Sequence, residues 1–154
     1  MRSIGFRVSP QCIYYCVAED KDDEYEIINV DKIKVPVNMS IPYQLRHVKI
    51  NIISILKEYN IQRVGIRATE NNSKSISIPR IYIEGVILET LEGSTINNFY
   101  VGTIAKIASL LKEDKKLIKK YIENSLIFMD IENWDSFSKD SRESIITAIA
   151  AFSL

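Results

Sequence analysis

A change of hydrophobic period near residue 40 is the feature that most constrains the fold of this chain. Before it, apolar residues alternate with polar or small ones over residues 4–8, and residues 12–17 and 25–35 are rich in aromatic and β-branched side chains. After it, apolar residues recur at helical spacing behind Ser40, with Pro42 in the first turn. The pattern predicts a three-strand antiparallel meander followed by a helix.

The second half of the chain alternates strand-like and helix-like segments. An apolar stretch at residues 63–67 predicts a central strand, and the helix before it implies a parallel crossover. Gly85 lies inside the next helical pattern, where it either indicates close packing against a neighbouring element, the interpretation we favour, or has no particular role. Residues 125–134 are left unassigned. The other predicted elements are a helix from about residue 79 to Gly93, a strand at 95–101, a helix at 103–120 and a buried helix from Asp140 onward.

Size and charge narrow the classes of protein that this chain can represent. At 154 residues and 46% hydrophobic content, residues 1–154 are expected to form a single domain. Twenty basic and twenty acidic residues cancel, so no global field attracts nucleic acid or an anionic membrane, and any nucleic-acid contact must be local. No apolar run approaches the roughly 20 residues of a membrane helix, and no secretory signal is visible. We therefore expect a cytoplasmic protein that does not enter the membrane.

Few residues offer metal-binding or nucleophilic chemistry. Cys12 and Cys16 lie about 13 Å apart if the segment between them is extended, too far for a disulfide, so two buried thiols are predicted. His47 is the single histidine, and we expect it on a helix surface because a zinc site normally needs four converging ligands. No glycine-rich phosphate loop, nucleophile elbow or Cys/His dyad is present.

Four segments carry a resemblance to a known family. Residues 4–7, 64–70 and 99–106 resemble the first, fourth and fifth strands of the RuvC-like, Holliday-junction-resolvase branch of the ribonuclease-H-like superfamily, and residues 140–148 resemble its final helix. Through the strand end Ile66-Arg67 and the following loop rich in lysine and small residues, the chain also resembles a group of short uncharacterised bacterial proteins of the same fold. The resemblance implies an α/β fold with a mixed five-stranded sheet, in which an antiparallel meander is joined to parallel strands and flanked by helices.

The resemblance also implies a metal site, but this chain lacks the expected acidic residues on the first and fourth strands. Enzymes of this superfamily hold two Mg²⁺ ions about 4 Å apart with at least three converging carboxylates. At the position of the first-strand aspartate the chain has Arg7 or its neighbour Phe6, and no acidic residue precedes Glu19. On the fourth strand Ala68 stands where the acid belongs, with Glu70 two residues later. An arginine on the first strand would repel a divalent cation.

The remaining candidate residues each have two readings. Asp140 and Glu143 share one helix face and are candidate catalytic and metal-binding residues, or ordinary acids at a helix N-terminus. Glu70 is a candidate catalytic acid or a solvated loop residue. Five lysines between residues 112 and 120 form a lysine cluster, which includes Lys120. The cluster is either a phosphate-binding surface or the exposed side of an amphipathic helix. Its candidate nucleic-acid-binding residues are Lys112, Lys115, Lys116 and Lys119.

Three hypotheses about function follow. The leading one is a ribonuclease-H-like domain with a degenerate metal site, a non-catalytic binding or scaffolding component linked to nucleic-acid processing. The second is a weakly active Mg²⁺-dependent nuclease that uses Glu70, Asp140 and Glu143. The third is a pure protein-interaction module. The first hypothesis implies no cofactor, whereas the second implies Mg²⁺. Nucleic acid, another protein and a second copy of the chain are the possible partners.

Overall fold

Five strands and five helices make up the described part of the chain, which in the computed structural model comprises residues 1–22, 24–68 and 76–154. Two short 3₁₀ turns, Trp134–Ser136 and Ala151–Ser153, flank the last helix. The strands are β1 (Arg2–Val8), β2 (Cys12–Lys21), β3 (Glu24–Lys34), β4 (Arg63–Arg67) and β5 (Asn98–Gly102). The helices are α1 (Ile41–Glu58), α2 (Ile78–Glu92), α3 (Ile104–Leu111), α4 (Lys115–Ile122) and α5 (Lys139–Ala150).

The strands form one mixed sheet in the order β3-β2-β1-β4-β5. The first three pair antiparallel, whereas β4 pairs parallel to β1 on one side and to β5 on the other. The predicted meander and the parallel crossover are therefore confirmed. In the β1–β4 register Gly5 lies beside Gly65 and Arg7 beside Arg67, which aligns two pairs of like residues across the centre of the sheet.

Each face of the sheet has its own hydrophobic core. Because side chains alternate along a strand, Ile4, Phe6 and Val8 point to the face covered by α1 and α2. Ser3, Gly5 and Arg7 therefore point to the opposite face, where α3, α4 and α5 pack around a fully buried Trp134. Residues 142–150 of α5 are buried on every side, as the apolar pattern of this segment predicts.

Glycine on the two central strands allows α5 to lie directly on the sheet. A Cβ atom added to Gly5 would stand 2.2 Å from the Ser144 carbonyl oxygen, and one added to Gly65 would stand 2.6 Å from that of Thr147. Both contacts are with backbone, which cannot rotate away. On the same face the Ser3 hydroxyl donates a 2.7 Å hydrogen bond to the Ala148 carbonyl oxygen, which fixes the helix along β1.

Three details of the predicted elements are wrong. The single helix expected over residues 103–120 is divided into α3 and α4 by Lys112, which adopts the left-handed conformation with φ 56° and ends α3. Gly85 does not pack closely against a neighbour: within the described residues no atom lies within 4 Å of the place its Cβ would take. The fifth strand begins at Asn98, later than the expected residue 95.

Within residues 1–22, 24–68 and 76–154, neither cysteine nor the histidine belongs to a group of side chains that could hold a metal ion. Both cysteines are free; Cys16 is buried, which raises the pKa of its thiol, whereas Cys12 is only half-buried. His47 is half-buried on α1, where its carbonyl oxygen accepts a 2.8 Å hydrogen bond from Asn51. Among the helices that the structure describes, none is both long and apolar enough to cross a membrane.

Candidate functional site

Arg7 and Arg67 meet at the carboxyl ends of two neighbouring parallel strands. Each lies two residues beyond a glycine that contacts α5, so strand alternation directs both side chains to the α5 face. The glycines let the helix backbone approach the sheet, and the arginines occupy the space just beyond that contact. The sheet and α5 together therefore build a site in which two guanidinium groups face the first turns of a helix.

The facing helix supplies two carboxylates. Ser138 caps α5, accepting a 3.1 Å hydrogen bond from the backbone N–H of Ser141, and so sets the point at which the helix begins. Asp140 and Glu143 follow three residues apart, a spacing that places them on the same face. The Glu143 side chain is only 4% exposed, whereas that of Asp140 is 36% exposed. The two acids therefore occupy different depths.

One carboxylate oxygen joins the two arginines. Oε2 of Glu143 lies 3.0 Å from Nε of Arg7 and 2.9 Å from Nε of Arg67. Asp140 contributes a longer contact, 3.4 Å from its Oδ1 to the same Nε of Arg7. The Arg67 guanidinium also donates a 2.6 Å hydrogen bond to the Ala68 carbonyl oxygen. We call these four side chains the arginine–carboxylate cluster; its formal charges balance.

Two buried polar residues near the cluster, Tyr100 and Arg142, are hydrogen-bonded to backbone carbonyl oxygens. Tyr100 on β5 donates a 3.0 Å hydrogen bond from its hydroxyl to the Thr147 carbonyl oxygen, and its burial raises the pKa of that hydroxyl. Arg142 is buried on the same helix as the acids but donates to the carbonyl oxygens of Ile122 and Phe137, away from the cluster. Neither residue adds a carboxylate to the site.

The cluster does not fit a pair of divalent cations. Magnesium requires oxygen ligands in a near-octahedral shell, and here the deeper carboxylate is in contact with two guanidinium groups. A metal ion bound to Glu143 would lie beside these two fixed positive charges, which would repel it. Within the residues described, no group of three or more His, Cys, Asp and Glu side chains could hold a metal. Glu70, the third candidate acid, lies outside the described residues.

Comparison with solved structures identifies the fold. No protein-family model matches the chain, and no curated protein does. The RuvC of Thermus thermophilus in complex with a Holliday junction substrate superposes with a TM-score of 0.72 at 8% identity, over 97% of this chain and 92% of RuvC. The fowlpox virus resolvase in complex with substrate Holliday junction DNA superposes with a TM-score of 0.59 at 16% identity, over 97% of this chain and 95% of the resolvase.

The chain has the RuvC-like form of the ribonuclease-H fold. The expected fold class is thereby confirmed, since the mixed sheet and its helices correspond over nearly the whole length of both resolvases. In this RuvC-like chain the arginine–carboxylate cluster lies at the ends of the first and fourth strands and on the final helix, and it includes Asp140 and Glu143, which the sequence resemblance implied as metal-binding acids.

Sequence reasoning found part of the cluster. The sequence indicates Arg7, Asp140 and Glu143, and the structure brings all three together. Arg67 was missed, because the expected register placed Ala68 at the acid position, whereas Arg67 is the residue that faces α5. The signal that could have found it is the repeated spacing in β1 and β4, where each arginine lies two residues after a glycine.

The lysine cluster lies apart from these residues along the sequence. Lys112 ends α3, and Lys115, Lys116 and Lys119 are exposed on α4, whose opposite side buries Ile118. Asp114 caps this helix through a 2.6 Å hydrogen bond from the Lys116 N–H. The helix has the expected amphipathic form, and binding of phosphate by its lysines stays a prediction.

Proposed function

We propose that this RuvC-like chain is a non-catalytic binding or scaffolding component linked to nucleic-acid processing. The observation that carries the proposal is the contact of Glu143 with both Arg7 and Arg67. The fixed guanidinium charges already compensate the carboxylate that a metal ion would need. Both carboxylates of the cluster are paired with arginine, so neither is free to bind a metal ion that would activate water.

The likeness to two resolvases supports the link with nucleic acid. Both solved structures are described with Holliday junction DNA, and the correspondence covers nearly all of this chain. The free cysteines accord with a reducing compartment, which supports a cytoplasmic location. Self-association and binding to another protein are further parts of the proposal, supported by large exposed apolar side chains near the starts of α1 and α2. These are Ile41, Tyr43, Ile78, Ile81 and Tyr82.

The second candidate function is a weakly active Mg²⁺-dependent nuclease. It is favoured by the common position of Asp140 and Glu143 on the face of α5 that meets the sheet. Glu70 would have to supply the third acid. This nuclease would require Arg7 and Arg67 to release Glu143 before a metal could bind.

A metal titration with a charge-converted variant separates the two functions. We expect millimolar Mg²⁺ or Mn²⁺ to leave the melting temperature of the wild-type protein unchanged relative to NaCl of equal ionic strength. We also expect no cleavage of single-stranded, duplex or four-way-junction DNA. The double variant Arg7→Asp, Arg67→Glu gathers four acids, so it should be destabilised in EDTA and restabilised by Mg²⁺, by about 3 kcal/mol at a hundredfold excess over the dissociation constant.

Arg46→Asp is the control, because it replaces an exposed arginine of α1 by an acid outside the arginine–carboxylate cluster. It should show no metal response. Metal-dependent cleavage by the wild-type protein that is lost in Asp140→Asn would overturn the proposed function and establish the nuclease.

A further inference from the structure

The two arginines of the cluster differ in their access to solvent. Arg67 and Glu143 form its floor, with side chains 6% and 4% exposed. Arg7 and Asp140 form its rim, with side chains 16% and 36% exposed. A ligand that approaches from solvent therefore meets Arg7 and Asp140 first.

The rim pair is also the looser one. Asp140 lies 3.4 Å from Nε of Arg7, whereas Glu143 lies 3.0 Å from the same atom on the buried side. Ion pairs with an exposed partner are weak and are screened by salt, while a buried carboxylate holds its partner in place. An incoming anion can thus replace Asp140 while the ion pair with Glu143 keeps the Arg7 side chain at the site.

The location favours an anion of phosphate type. Ligands of open α/β sheets bind outside the carboxyl ends of the strands, and β1, β4 and β5 all end at this edge. The exposed Lys106 starts on the same face of β5: its Cγ lies 2.9 Å from the place a Gly102 Cβ would take, and Gly102 is the register partner of Arg67. The planar guanidinium donates paired hydrogen bonds to phosphate oxygens.

We infer that Arg7 binds a backbone phosphate of nucleic acid without any metal, and that Asp140 is the internal anion which this phosphate displaces. The inference rests on the proposed function and names the contact through which the chain would hold its nucleic acid. Arg7 and Arg67 take the place of divalent cations as the positive charge of the site, and the phosphodiester stays intact.

The two rim residues should have opposite effects on binding in EDTA. Arg7→Gln should weaken the binding of a fluorescein-labelled single-stranded or four-way-junction oligonucleotide by about tenfold or more, since a hydrogen bond to a charged group is lost. It should also lower the slope of log affinity against log salt by about 0.7 to 0.9, which is one phosphate contact. Asp140→Asn should tighten binding by about two- to fivefold, because the competing carboxylate is removed.

Matched variants control for charge and for folding. Arg46→Gln and Asp135→Asn make the same charge changes at exposed positions on α1 and before α5, and each should alter affinity by less than its counterpart in the cluster. Arg7→Lys keeps the charge but loses the planar fork, so it should recover part of the lost affinity. Circular dichroism and melting curves establish that each variant is folded. Competition by inorganic phosphate measures how far free phosphate alone occupies the site.

Several results would overturn the inference. They are Asp140→Asn binding no more tightly than Asp135→Asn, Arg7→Gln binding as well as Arg46→Gln, or a wild-type protein that binds no oligonucleotide in EDTA. Any of these results, obtained without metal-dependent cleavage, overturns the phosphate contact and leaves the non-catalytic function standing. Cleavage in Mg²⁺ overturns the proposed function itself, so the two failures are distinguishable.

Discussion

Glu143 is the residue on which the arginine–carboxylate cluster depends. Its oxygen is the shared partner of two guanidinium groups, one on each of two neighbouring strands, and it is almost completely buried. Removing one partner of a buried ion pair is costly because the remaining charge is left in a medium of low dielectric. A neutral side chain at this position would leave two arginines close together without their common counter-charge.

Glu143→Gln should therefore lower the free energy of unfolding by about 3–5 kcal/mol, the range expected when a buried pair is broken. Asp140→Asn, an equivalent change on the same helix at a half-exposed position, should cost less than about 1 kcal/mol. Urea denaturation of the three proteins at neutral pH gives both values. Equal costs for the two substitutions would contradict the distinction between floor and rim.

At the scale of the elements, α5 and the two central strands form one packed unit. Gly5 and Gly65 are register partners, and the backbone of α5 passes over both of them. This close approach brings the first turns of the helix to the ends of β1 and β4, and so determines where the acids meet the arginines. Gly85, by contrast, lies in α2 with free space around its Cα among the described residues.

Alanine at these glycines should have opposite effects on stability. Gly5→Ala should destabilise the protein by about 3 kcal/mol or more, because its methyl group would meet the α5 backbone and force the helix away. Gly85→Ala should stabilise it by about 0.5–1 kcal/mol through improved helix propensity. Thermal and urea unfolding measure both changes. A neutral Gly5→Ala would show that α5 can move off the sheet at little cost.

At the scale of the whole molecule, the sheet separates two cores, and each contains a buried tyrosine. Tyr15 packs in the core under α1 and α2, and burial, helped by nearby Asp31, raises the pKa of its hydroxyl to about 12. Tyr100 packs in the core under α3 to α5, where burial likewise raises the pKa of its hydroxyl. In both cores the folded protein favours the neutral phenol over the phenolate.

Stability should therefore fall at alkaline pH. Below about pH 10 the tyrosines are protonated in both states and the stability does not depend on them. Above it the unfolded chain releases protons that the folded chain retains, so each such tyrosine lowers the free energy of unfolding by about 1.4 kcal/mol per pH unit. For Tyr15 this loss continues to about pH 12. Urea unfolding at a series of pH values measures it, and Tyr15→Phe should show a shallower decline; an identical decline would contradict the assignment.

The sequence by itself determined the order of the elements and the absence of an acidic residue from the first strand. Alternating residues predict β1 to β3, helical spacing after Ser40 predicts α1, and no acidic residue precedes Glu19. These features depend on neighbours along the chain. The break between α3 and α4 escaped prediction because Lys112, which ends α3 in the left-handed conformation, is neither glycine nor asparagine; the cap residue Asp114 is the local signal that could have indicated the start of α4.

Only the tertiary structure decided which charges meet. Arg67 reaches Glu143 because β4 pairs with β1 in one particular register, and a shift of one residue would turn the arginine to the opposite face of the sheet. Glu143 reaches both arginines because two glycines let α5 descend onto the strands. Both conditions join residues far apart in sequence, and the choice between a metal ligand and an arginine partner is made by that geometry.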